Sequence, residues 1–66
     1  MKQVIQDLKK IFEEECDIDV AAQSLSEAQK RLSKQAARNV MLDIKDFVEG
    51  QIDETQLSLY LRQHGF

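Results

Sequence analysis

Apolar residues recur at intervals of three or four from Leu25 through Ala28, Leu32, Ala36, Val40 and Ile44 to Phe47. That interval is the helical repeat. No proline interrupts it, and Gly50 stands where it stops. The stretch from Ser26 to Glu49 therefore predicts one long helix, roughly 35 Å at 1.5 Å per residue. The rest of the chain is expected to pack on it. Its start stays open between Asp19 and Ser26, because Asp17 or Asp19 can accept from free amides at the helix start, and Ser24 with Glu27 and Ser26 with Gln29 both fit a capping box. Ser33 is a second place for a break, since serine competes for backbone hydrogen bonds. The unbroken phase of the stripe favours continuity.

Two shorter helices flank this stretch. Val4, Ile5, Leu8, Ile11 and Phe12 fall on one face of a helix over about 2–15, with Lys2, Gln6, Lys9 and Glu13 opposite. Asp53 is a good N-cap with Gln56 three residues on. Ile52 and Leu57 are spaced as a hydrophobic staple. A last helix is expected over about 54–64, antiparallel to the one before it because the connection is short. Leu57, Tyr60, Leu61 and His64 share its inner face. Gly65 repeats the closing signal, and Phe66 can fold back on Leu61 as in a Schellman ending. The expected fold is all-α, one domain over residues 1–66. It is a small antiparallel three-helix arrangement with a long central helix, and dimerisation is one way to complete its core.

Sixty-six residues bury only about 60% of the surface exposed on unfolding, so a chain this short needs help or close helix packing. One cysteine, Cys16, rules out an intrachain disulfide, and Cys16 with His64 cannot make a standard structural zinc site. The wide arc of Ala36, Ala37, Val40, Met41, Ile44, Phe47 and Val48 motivates self-association. No apolar run reaches membrane-spanning length, and the first residues carry no signal-peptide core. A lone cysteine suits a reducing compartment, so a cytoplasmic protein is expected.

Chemistry-bearing patterns are sparse. Cys16 sits among carboxylates, which disfavour its thiolate. His64 lacks a nucleophilic or acidic neighbour in a known pattern and suits the end of a helix. No phosphate-cradling loop or serine elbow is present. No enzyme, metal or cofactor is expected. Glu13, Glu14, Glu15, Asp17 and Asp19 are the densest charge, a docking patch for a partner with a basic surface or a solvated helix end. Their spacing lacks the glycine of a calcium loop. Lys30, Arg31, Lys34 and Arg38 make a basic stripe, the alternative nucleic-acid face. A helix-turn-helix reader would need a tight turn and helix before it, and no glycine precedes the stripe from Asp17 to Ser26. The net charge of −3 also gives polyanions no overall attraction. Leu42 and Leu59 miss the apolar stripes and flank one hairpin, so a shared contact patch is expected there.

The run Asp46-Phe47-Val48-Glu49-Gly50-Gln51-Ile52-Asp53-Glu54 is similar to hairpins in small helical bacterial immunity proteins. Each of its residues is also accounted for by capping and stapling. The expected function is a non-enzymatic acidic module that binds a larger protein, of the bacterial or phage immunity, antitoxin or anti-defence kind. The alternatives are a dimeric DNA-binding regulator and a structural subunit of an assembly.

Overall fold

The computed structural model describes residues 2–15 and 17–66. Their order is α1 (Lys2–Glu15), α2 (Ile18–Ala28), α3 (Lys34–Val48) and α4 (Glu54–Gln63). Among the described residues every regular element is helical, so the all-α class holds. α1 and α4 lie where the apolar spacing and the Asp53 cap place them. The reading of Cys16 falls outside the described residues.

The long central helix is the correction. The chain is broken between Ala28 and Lys34, and two helices stand where one was expected. Ser33 is the residue that breaks it. Its hydroxyl oxygen accepts from the Ala36 amide at 3.1 Å and caps α3. Asp17, not Ser24 or Ser26, caps α2, accepting from the amides of Asp19 and Val20 at 2.8 and 3.2 Å. The Ser26 hydroxyl donates to the Leu32 carbonyl at 3.0 Å and ties the turn shut. The physical reason is burial. A straight helix cannot lay one half on the other, whereas the broken chain packs α2 against α3, the most extensive helix pair in the fold. Leu32 kept the phase of the stripe but packs on the core from within the turn.

The core is built from all four helices. Ile5 and Leu8 come from α1, Val40, Met41 and Ile44 from α3, and Leu57 and Leu61 from α4. Ala21, Ala22 and Ala37 are also fully or almost fully buried, with Leu25 beside them. Small side chains on both helices let α2 and α3 approach closely. The arc that motivated dimerisation is largely used up within one chain: Ala37, Val40, Met41 and Ile44 are each 0% exposed.

Two glycines close helices in the same way. Gly50 has φ 81°, and Gln51 and Gly50 donate to the carbonyls of Asp46 and Phe47. Gly65 has φ 93°, and Phe66 and Gly65 donate to Leu61 and Arg62. Both are complete Schellman motifs. Between them, the Asp53 carboxylate accepts from the Gln56 amide at 2.8 Å while the Gln56 side chain accepts from the Asp53 amide at 3.4 Å. Ile52 packs on the core beside the buried Leu57, as a staple should.

Candidate functional site

The acidic residues gather where α1 ends and α2 begins. Glu13, Glu14, Glu15, Asp17 and Asp19 are all exposed there. Carboxylates at a helix C-terminus are unfavourable. Here the N-terminus of α2 follows within three residues, so its positive end lies beside them. Asp17 and Asp19 have structural roles here. Asp17 caps α2. Asp19 pairs with the Arg38 guanidinium of α3 at 3.1 Å, and both side chains are more than half exposed. An ion pair in that much water contributes little stability.

The basic residues gather at the other end of α2. Lys30 and Arg31 lie in the turn, Lys34 opens α3, and Arg38 follows one turn later. All four are exposed. α2, eleven residues and about 16 Å long, stands between the acidic corner and Lys30 and Arg31, while Arg38 of α3 reaches back to pair with Asp19. The sequence offered no turn before the basic stripe. The structure supplies one at residues 29–33, built by the Ser26–Leu32 and Leu32–Gln29 hydrogen bonds instead of by glycine.

The large apolar side chains left exposed are Val20, Leu42, Val48 and Leu59. Leu42 lies one turn beyond Arg38, on the flank of α3 that reaches Asp19 of α2. Asp43, the next residue, faces α4. Leu59 lies on the outer side of α4, opposite the buried Leu57 and Leu61. Leu42 thus follows the Arg38 of the acid–base pair by one helical turn, and Leu59 is the more exposed of the two leucines.

One pairing escaped the sequence reading. His64 Nε2 lies 4.0 Å from an Asp43 carboxylate oxygen, and both side chains are only 24% exposed. Burial raises the Asp43 pKa above its ordinary 3.8. The His64 charge opposes that shift and Asp46 adds to it. The signal was present in the hairpin: folding α3 onto α4 about Gly50–Asp53 brings the middle of α3 opposite the end of α4.

The surface hollows are shallow. One of about 290 Å³ is bordered by Lys2, Ile5, Gln6, Lys9, Phe47 and Glu54. Enclosed small-molecule sites usually span about 300–1,000 Å³. Among the described residues no three His, Cys, Asp or Glu side chains are grouped to hold a metal, and no helix is long and apolar enough to cross a membrane. The chain matches no family model, no curated protein and no solved structure.

Proposed function

We propose that this chain is a non-enzymatic module that binds a larger protein through its acidic corner and acts as a regulator or inhibitor of it. One observation carries this reading: the carboxylates of Glu13, Glu14, Glu15, Asp17 and Asp19 crowd one exposed corner, with Lys30 and Arg31 at the other end of α2, while Arg38 reaches back to pair with Asp19. Segregated charge of one sign raises the encounter rate with a surface of the other sign. Leu42, beside the Asp19–Arg38 pair, is the apolar residue placed to anchor the complex once formed. Leu59 would serve only a partner that wraps around α4.

A second reading has its own support. Lys30, Arg31, Lys34 and Arg38 surround a turn that leads into α3, the arrangement a nucleic-acid reader would use. Arg38 is engaged by Asp19, and the net charge is unfavourable, so this reading ranks behind.

Affinity capture at low salt from cells that carry the gene separates the two. Proteins retained by the wild type are expected to be lost when Glu13, Glu14 and Glu15 are changed to lysine, and kept by Lys30→Glu with Lys34→Glu. The opposite pattern, with duplex DNA retained by the wild type and released along a salt series, would move the nucleic-acid reading ahead.

A further inference from the structure

We propose that the hollow between α1 and α2 seats an apolar side chain carried by a basic amphipathic helix of the partner. This rests on the acidic-corner reading of the function and names where that partner's own anchor goes. The hollow, about 200 Å³, is floored by the buried Leu8 and Leu25 and walled by the half-buried Val4 and Ile11. Ala28 stands exposed at its α2 edge. The space has room for one large side chain and is smaller than an enclosed small-molecule site. Phe66 of this chain already packs on the core at its border, brought there by the turn at Gly65.

Charge decides what kind of segment brings that side chain. Asp7 borders the hollow from α1 and accepts from the Gln3 side-chain amide at 2.9 Å, which holds its carboxylate at the rim. Glu14, also exposed, follows on the same face of α1 two turns later, about 10 Å along the axis. Lys10 lies between them in sequence but nearly opposite the buried Leu8 around the helix, so it points away from the core. Among the described residues no basic side chain borders the hollow. Its rim is therefore acidic and runs into the corner at the end of α1. A helix laid along α1 has the same repeat. Basic residues two turns apart on it meet Asp7 and Glu14, while an apolar residue between them enters the hollow. The acids steer the helix in, and the buried side chain holds it.

The probe is a pair of synthetic amphipathic peptides at low salt, one with lysines flanking a central leucine, the other with that leucine changed to alanine. The leucine peptide is expected to shift the methyl signals of Val4, Ile11 and Leu25 in NMR spectra of the full chain. It should bind about tenfold more tightly than the alanine peptide, the scale of burying one leucine. Ala28→Phe fills the hollow from an exposed position and should abolish that preference. Asp7→Lys with Glu14→Lys should weaken both peptides about threefold. The peptide comparison uses the wild-type chain, so it does not depend on how a variant folds. Equal affinity of the two peptides, no binding of either at millimolar concentration, or shifts confined to residues 13–19 would each overturn the hollow. If binding confined to 13–19 is then lost when Glu13, Glu14 and Glu15 are changed to lysine, the acidic corner stands without it. Leucine-dependent shifts at the hollow that survive that triple change would keep the hollow and overturn the corner.

Discussion

Asp43 shows how one side chain can help and cost at once. Its carboxylate is half-buried on the α4 flank of α3, and desolvation raises its pKa while His64 works against the rise. A raised carboxyl pKa means that the folded chain binds more protons than the unfolded one. Stability then falls as pH rises from 3.8 through the folded value. At pH 7.5 the desolvation cost of the charged carboxylate remains. Asp43→Asn should therefore raise the urea midpoint at pH 7.5. The gain should vanish below pH 3.8, where both states carry a neutral acid. A lower midpoint at pH 7.5 would mean that the carboxylate makes a contact worth more than its burial costs. At this scale the sequence was uneven. Asp53 was legible because a cap acts on neighbours three residues away. Asp43 was not, because its partner is brought in by folding.

Helices were legible where their ends were local. α4 is fixed by Asp53, Gln56, Ile52 and Gly65, all within its own stretch, and its boundaries follow from them. The break at Ser33 was weighed and set aside because Leu32 kept the apolar phase. Phase alone cannot tell a continuous helix from a helical hairpin whose turn also buries a leucine. What decides between them is the α2–α3 packing gained by folding back, which is not local. Ser33→Ala should accordingly destabilise the domain by about 0.5–2 kcal/mol, as lost N-caps do. It should leave the helix content unchanged by circular dichroism. A rise in helicity would show that the two halves had fused. Asp53→Ala should cost a similar amount, with faster amide exchange over residues 55–61. Unchanged protection there would contradict the reciprocal cap.

For the molecule as a whole, the expectation of a dimer loses its motive. Ala37, Val40, Met41 and Ile44 of the apolar arc of α3 are buried within the same chain while Val48 stays exposed, and the exposed large apolar residues among those described are scattered over three helices. Isolated exposed leucines and valines are ordinary on monomeric surfaces. Sedimentation at micromolar concentration should give a single species near 7.6 kDa. A species of twice that mass would point to an interface at Leu42, Val48 or Leu59, and Leu42→Asp or Leu59→Asp would locate it. The candidate site was legible as composition only. That Arg38 pairs with Asp19 followed from the turn at 29–33, where the Ser33 break was weighed against the unbroken stripe.

That turn at residues 29–33 also bears on how the chain finds its fold. α2 meets α3, and α3 meets α4, across connections of five residues each. Joining neighbouring segments over short spans loses little loop entropy before contacts reward it, and chains rich in such contacts fold in microseconds to milliseconds. The one docking that must span an intervening helix is α1 on α3. Stopped-flow refolding should be complete within milliseconds. Phe12→Ala, on the helix that makes that longer docking, should speed unfolding more than it slows folding, because α1 joins a hairpin already formed.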